Sequence, residues 1–516
     1  MLKKIFADKK IFLMLSNIVK GSIASYSNKV VSMAGNLILV PMYLLYFGKE
    51  QYGLWLVILS IVSYFGFSNI GITQSVSNHV AGYNARNQYK NIISIVSTGF
   101  WLFIVIISAI LIFILGIILL APLESILKVS DELQDIVIPV LVISSVFFLL
   151  KLPLSVFNAA LRSLNLIYKE QIFMLIFTVV QFIGVIIVLV SGVGIIGLSF
   201  TYGFTGLLSG ILLYFYLKKI IPDFYISIKF IDKASIKKLM KPGGYFFVLN
   251  LGALLIFATD NIIISSSLGV ESVTAYAIAF KVFLIILSIA SVVTQNIIPS
   301  ISAAYSLNNN QYLYDVYIKT LRLCLGYALL VSFLLFVGGR ELMIGWVGSD
   351  NYVGDSASIL IVFFMFISIL LGPADVILVG TSQHKVYAIM AVIEGVINLI
   401  LSIWWVYIWG VVGIIAATII ARIITNAWYL PYKASIITGA GIHSIVVKVI
   451  NPFIAPFIST MIVIYILSFY DFFGWEKILI HSLFVLCVFT STCYFFVLSE
   501  NEKYKVKNII SILKPK

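Results

Sequence analysis

Residues 92–120 read IISIVSTGFWLFIVIISAILIFILGIILL, 29 positions without one charged side chain. A helix of about 20 apolar residues crosses the hydrocarbon of a bilayer, whereas a spanning strand needs about ten and alternates polar with apolar. Lipid offers no partner to an open backbone, so a run of this length is predicted to be a membrane helix. Similar runs lie near 22–46, 53–83, 136–157, 170–190, 194–217, 243–268, 273–304, 317–347, 357–380, 386–409, 411–430, 445–470 and 477–498. Together they predict an all-α polytopic membrane protein of about 14 transmembrane helices. The runs 53–83 and 273–304 exceed one crossing and are expected to tilt or to project beyond the membrane. Composition agrees: of 516 residues 61% are apolar and 11% charged, against about a quarter charged in a soluble domain. A soluble enzyme and a disordered chain are both excluded.

The formal charge is +13. In a soluble chain that surplus would suggest nucleic acid. Here its placement follows the positive-inside rule. With the N-terminus in the cytoplasm, inner segments hold 26 of the 34 basic residues and 7 of the 21 acidic ones. Outer segments hold 4 basic and 11 acidic residues, among them Glu124, Asp131, Glu132 and Asp135 in one loop and Glu341, Asp350 and Asp355 in another. Both termini are therefore expected in the cytoplasm, and no nucleic-acid partner is needed. The expected organisation is an amphipathic segment 1–21, an N-lobe 22–217 of six helices, a basic linker 218–242, a C-lobe 243–430 of six helices, two extra helices within 431–498 and a basic tail 499–516. Cys324, Cys487 and Cys493 all lie in apolar runs with no CxxC spacing, which predicts core residues and neither a disulfide framework nor a metal site.

The chain repeats itself. Gly48-Lys49-Glu50 aligns with Gly269-Val270-Glu271, Thr73-Gln74 with Thr294-Gln295, Pro153 with Pro373, and Gly194-Ile195-Ile196 with Gly413-Ile414-Ile415. The offset stays near 220 residues, and each match falls at the same place in the helix order. Six helices per repeat is an even number. The two lobes are thus expected to share one orientation, related by a pseudo-twofold along the membrane normal with a cavity between them.

Pro41, the turn Tyr46-Phe47-Gly48-Lys49-Glu50-Gln51-Tyr52-Gly53-Leu54-Trp55 and Asn69-Ile70-Gly71-Ile72 resemble the first two helices of Wzx-type polysaccharide and O-antigen flippases. Those belong to the multidrug/oligosaccharidyl-lipid/polysaccharide exporter superfamily. Asp260, Gly269, Tyr276 and Pro299 resemble the same pattern in the second half. The family often has Asp where this chain has Asn69. The resemblance implies a bacterial inner-membrane flippase, not an enzyme, that moves undecaprenyl-diphosphate-linked oligosaccharide units from the cytoplasmic to the outer leaflet. The products would be O-antigen, capsule or exopolysaccharide. It also implies a polysaccharide polymerase and a chain-length regulator as candidate partners.

Set apart from those near the span ends, the charged side chains read as lying within the membrane are Lys29, Lys151, Asp260, Lys281, Asp375, Glu394 and Arg422. A charge at that depth is costly unless it is paired or faces a wet cavity. Cations there would replace part of the hydration that a diphosphate loses. Lys29, Lys281, Arg422 and Lys151 are the candidate diphosphate contacts. For each, the alternative is snorkelling or pairing with a carboxylate, with Asp260 a candidate partner of Lys281. Asp260, Asp375 and Glu394 are candidate sites for a coupling proton or Na⁺, or else partners in structural ion pairs. Asn36, Asn250 and Gln295 would contact sugar hydroxyls or only neighbouring helices. No resident cofactor or metal is expected.

Three rivals were weighed on the same residues. A peptidoglycan-precursor flippase needs the same cations. A multidrug/cation antiporter would prefer a carboxylate-rich interior. A membrane polysaccharide polymerase would need a large outer loop, and no outer segment here exceeds roughly fifteen residues. No G-x-x-x-x-G-K-[ST] stretch is present, which argues against direct drive by ATP.

Overall fold

The computed structural model describes residues 2–504 except 70, 121, 165, 241–250, 253, 257, 384 and 471–473; it describes side chains from residue 24, apart from those of 113, 115, 117–120 and 293. Among the described residues every regular element is helical, and twelve helices are long and apolar enough to cross a membrane. Two features separate this count from the expected fourteen. The spans 22–46 and 53–83 meet end to end in α1 (Leu2–Ser63), two helices joined across a kink at Gly48. The run 243–268 is described only in part, ending in a shorter apolar helix.

The chain forms two compact units, Met1–Thr274 and Ala275–Lys516. In the first, α1 is followed by α2 (Ile72–Ala85), α3 (Tyr89–Leu120), a short α4 (Leu123–Ile126), α5 (Asp131–Ser163), α6 (Ile167–Ser191), α7 (Gly194–Ile220), α8 (Lys233–Met240) and α9 (Thr259–Leu268). Ile72, Val76, Ile92, Phe103, Val156, Phe157, Leu213 and Leu217 form its buried core. The basic linker belongs to this unit, since Ile221, Phe224 and Leu239 are buried in the same core.

The second unit takes most of α10 (Val270–Gln295), then α11 (Ile298–Ser306), α12 (Asn310–Val347), α13 (Asp355–Gly380), α14 (Lys385–Trp409), α15 (Val411–Ile424) and α16 (Asn426–Thr438). A one-turn α17 (Ile442–Ile445), α18 (Ile454–Leu467) and α19 (Gly474–Phe496) complete it. Its core gathers Ile301, Leu313, Tyr317, Ile377, Leu378, Leu430 and Val449. A satellite of Leu329, Phe333, Phe453, Val485 and Phe489 joins α12 to the last helices. Two ion pairs tie α12 to the last helix and the residues after it. Lys477 Nζ meets Glu341 Oε1 at 2.5 Å. Arg322 Nη2 reaches Glu502 Oε2 at 2.9 Å and also donates to the Val497 carbonyl.

Two long runs are not single helices. After Ser63 a 3₁₀ turn covers Tyr64–Asn69, and Gly71 opens α2 in the left-handed region. Asn69 Oδ1 accepts the Thr73 amide at 3.1 Å and the Thr73 hydroxyl at 2.9 Å. That role needs an acceptor and no charge, so Asn serves there. The run 273–304 breaks after Gln295, and Pro299 sits in the first turn of α11, where its missing N–H costs nothing.

The turn that carries the resemblance is built into the first unit. Gly48 breaks α1 at φ 70°, ψ −178°, and its repeat partner Gly269 has φ 89°, ψ 160°. This left-handed, extended backbone is open to glycine and strained for other residues. Glu50 Oε1 accepts the Ser130 amide at 2.9 Å, and the Thr274 hydroxyl donates to the Lys49 carbonyl at 2.7 Å. Tyr52, Leu54 and Trp55 are buried. Gly53 lies so close to the Val270 backbone that a Cβ there would come within 2.0 Å of its carbonyl oxygen. Gly53→Val is expected to destabilise the fold by about 2–3 kcal/mol, read as a melting temperature several degrees lower in detergent. Gly82→Ala, whose added Cβ meets nothing within 4 Å, should not lower it; equal melting of both variants would refute this packing.

Candidate functional site

Several polar residues of the second unit's membrane helices gather where α14 and α15 face each other, and helical spacing explains it. Tyr387, Glu394, Asn398 and Ser402 recur at intervals of seven, four and four along α14, so they share one face. Thr418 and Arg422 share a face of α15, and Thr425 and Asn426 stand at the junction with α16. The two faces meet. Thr418 Oγ1 and Ser402 Oγ both donate to Asn398 Oδ1 at 3.1 Å. Further along, Arg422 Nε donates to Glu394 Oε1 at 2.8 Å.

Glu394 has no exposed surface. Its Oε2 accepts from Asn426 Nδ2 at 2.7 Å and from Thr425 Oγ1 at 3.2 Å. The guanidinium also donates through Nη1 to Ser368 Oγ at 2.7 Å, and its centre lies 4.6 Å from the ring centroid of Phe364. Both Phe364 and Ser368 are on α13, one turn apart. A carboxylate out of water thus receives donors from two helices, and the guanidinium receives a charge, a hydroxyl and an aromatic face from two others. Such satisfaction is what makes a buried ion pair tolerable. Beside it, Tyr387 of α14 and Asp375 of α13 are neighbours, close to Glu394 and Arg422. Four helices therefore share one run of ionisable and hydroxyl groups.

The other expected residues are placed as follows. Lys29 and Asn36 are exposed on α1, and Asn36 Nδ2 donates to the Ser32 carbonyl of its own helix. Lys151 is exposed on α5, its aliphatic stem running beside Gly206 of α7. Asp260 is fully buried in α9, Lys281 is half-buried in α10, and Gln295 is exposed at the end of α10. Asn250 lies outside the described residues. Arg422, expected among the diphosphate contacts, is instead engaged by Glu394 and Ser368. The physical reason is proximity: both flank the tight connection at Gly410, so consecutive antiparallel helices bring them to similar heights. That spacing was the sequence signal for the pair. Among the described residues, no three His, Cys, Asp or Glu side chains gather as a metal site.

Three groups were not singled out from the sequence. Tyr43 and Tyr202 join α1 to α7 through their hydroxyls at 3.1 Å, with Tyr52 stacked on Tyr43 at 5.0 Å and Trp55 tilted against Tyr202 at 5.6 Å. Glu170 is fully buried and paired with Arg162 at 2.5 Å. Ser368, Thr425, Asn426 and Tyr387 complete the shells of Glu394, Arg422 and Asp375.

These features define a multi-pass helical membrane protein with an ionisable network inside its helices. The family profile described as "Polysaccharide biosynthesis protein" matches residues 18–305, more than half of the sequence, and the chain belongs to that family. It is 26% identical over 249 residues to the "Uncharacterized membrane protein EpsK" of Bacillus subtilis (strain 168), which covers 48% of this chain and 49% of that protein. It is also 26% identical over 220 residues to the "Putative O-antigen export protein" of Yersinia pseudotuberculosis, covering 42% of this chain and 49% of that protein. The chain thus spans about half the length of the curated relatives it matches. The solved structure of the lipid II flippase MurJ, in an inward closed conformation, superposes with a TM-score of 0.73 over 93% of this chain and 98% of that chain. Its sequence identity is 17%, so this likeness concerns the fold.

Glu394→Gln and Arg422→Met, singly, are each expected to cost about 3–5 kcal/mol by stranding the buried partner. The double variant should cost clearly less than the sum. Additive losses in a thermal double-mutant cycle in detergent would show that the two side chains do not depend on each other.

Proposed function

We propose that this protein is a flippase for undecaprenyl-diphosphate-linked oligosaccharide units, moving them from the cytoplasmic to the outer leaflet of the bacterial inner membrane by alternating access. The observation that carries this is the ionisable network of α13, α14, α15 and α16: a scaffold held by packing alone has no use for a fully buried carboxylate among lipid-embedded helices. Membership of a polysaccharide biosynthesis family supports the sugar-bearing substrate, as does the O-antigen export name of one relative.

In this reading the substrate's prenyl chain stays in lipid while its diphosphate passes among fixed cations. Lys29, Lys151 and Lys281 supply that charge. Arg422 acts through Glu394, since its guanidinium is already engaged. Asp375 and Glu394 are the groups through which a proton or Na⁺ gradient acts. Both termini face the cytoplasm, as the lysine distribution requires. A peptidoglycan lipid precursor is the second substrate reading, favoured by the length over which the fold matches a lipid II flippase. It carries the same diphosphate and prenyl chemistry.

The test is a leaflet assay in proteoliposomes offered each lipid-diphosphate sugar in turn. The oligosaccharide-bearing lipid should equilibrate between leaflets faster than in protein-free vesicles; no acceleration would overturn the proposal, and acceleration only with the peptidoglycan precursor would transfer it to the second substrate. Lys29→Ala and Lys151→Ala should each slow turnover at least severalfold with an unchanged melting temperature. Turnover at the wild-type rate would remove that lysine from the path. Asp375→Asn should abolish the response to an imposed proton or Na⁺ gradient, and a retained response would place coupling elsewhere.

A further inference from the structure

The segment between α7 and α9 was expected to be a cytoplasmic tether, yet its described part, residues 221–240, is fastened to the side of the first unit. Ile221, Phe224 and Leu239 are buried there. The Phe230 carbonyl accepts from Ser94 Oγ at 3.0 Å and from Thr98 Oγ1 at 3.4 Å. Lys238 Nζ reaches the Tyr83 hydroxyl at 3.3 Å. These anchors fix the depth of the segment. Ser94 and Thr98 lie five and nine residues beyond Tyr89, the first residue of the membrane helix Tyr89–Ile112. At 1.5 Å per residue that is about 8 to 14 Å along the helix. The Phe230 carbonyl therefore lies beside the first turns of the apolar run that begins at Ile92.

The side chains around it suit that level. Tyr225, Ile228 and Ile231 are 50%, 61% and 39% exposed, and apolar groups held at this depth contact lipid instead of water. Lys218, Lys219, Lys229, Lys233 and Lys237 are exposed around them. Of the two acidic residues in this stretch, Asp232 is engaged with its own backbone: it accepts the amides of Ala234 and Ser235 at 3.1 and 3.2 Å and starts α8. Those amides hold its carboxyl below the usual range. Apolar side chains that enter the interface beside lysines that reach phosphate depth are the arrangement of a surface-seated lipid-binding element.

We propose that residues 218–237 form a binding site for acidic phospholipids of one leaflet, with Ile228 and Ile231 inserted at the acyl boundary and Lys229, Lys233 and Lys237 on the headgroup phosphates. The occupant is lipid because the segment is fastened to Ser94 and Thr98, which belong to the apolar run of a span-length helix, so that its exposed isoleucines and lysines flank a surface a bilayer would cover. Naming that leaflet the cytoplasmic one rests on the lysine distribution; the site itself does not depend on the transported substrate.

The full chain with its three cysteines replaced would carry a bimane label at Ile228→Cys or, for comparison, at Asn87→Cys, an exposed loop position just before α3. It would be reconstituted into vesicles holding brominated phosphatidylglycerol or brominated phosphatidylcholine at equal mole fraction. The label at 228 should be quenched by both lipids, at least twofold more by the acidic one, while the label at 87 stays bright. Each lysine near the surface is worth roughly a fivefold change in local acidic-lipid affinity, so Lys229→Glu with Lys233→Glu should erase the preference and leave quenching by phosphatidylcholine in place. A label at 228 as bright as that at 87 would put the segment in water and overturn the proposal. Equal quenching by the two lipids in the unsubstituted chain would overturn the acidic site.

Discussion

Inside hydrocarbon a polar group has to find its partner within the protein, and this constraint shapes every level of the structure. Most hydroxyls meet it locally: Ser60, Ser199, Ser368 and Thr438 each donate to the carbonyl four residues earlier in the chain. Such back-bonds let a helix carry polar side chains without a tertiary partner. Glu394 cannot be satisfied this way. Its carboxylate needs donors from other helices, and Arg422, Thr425 and Asn426 supply them. The need for several donors at one depth is what makes α13, α14, α15 and α16 mutually dependent.

The first unit follows a different logic. Its distinctive turn is mechanical: Glu50 fixes the start of α5, Thr274 fixes Lys49, and Gly53 lets the Val270 backbone approach. The motif that resembles the polysaccharide flippases is therefore a packing signature, and its residues Tyr52, Leu54 and Trp55 lie in the core. Lys29 and Lys151, exposed on α1 and α5, lie outside the turn.

The helical, membrane-spanning character was legible because length and apolar content determine it directly, as residues 92–120 illustrate. Helix ends were less legible. The break after Ser63 is made by a 3₁₀ turn within apolar sequence, which hydropathy averages over. Pairing was readable only where neighbouring helices constrain it: Glu394 and Arg422 flank one tight connection, and pairing with a carboxylate was one of the two readings Arg422 allowed. The contacts of Ser368 and Tyr387 depend on how each helix is rotated about its own axis, which one sequence does not encode locally. The hydroxyl contact of Tyr43 with Tyr202 was invisible for another reason: with 28 tyrosines in the chain, only Tyr52 stood out, as part of the turn. The linker read as a tether because its anchoring residues Ile221, Phe224 and Leu239 follow no helical or strand period.

The two ion pairs along α12 also serve as a ruler. Arg322 and Glu341 are 19 residues apart on α12, and the groups they meet, the Val497 carbonyl just past the last helix and Lys477 near its start, are 20 apart on the antiparallel stretch of chain. Nineteen residues of helix measure about 29 Å, close to the roughly 30 Å of a bilayer's oily slab. The two clamps are thus spaced like the two edges of that slab. Sliding α12 past the last helix by a single turn would break both clamps at once and carry a charge at one end towards the oily slab, so the two helices are held in register from both ends.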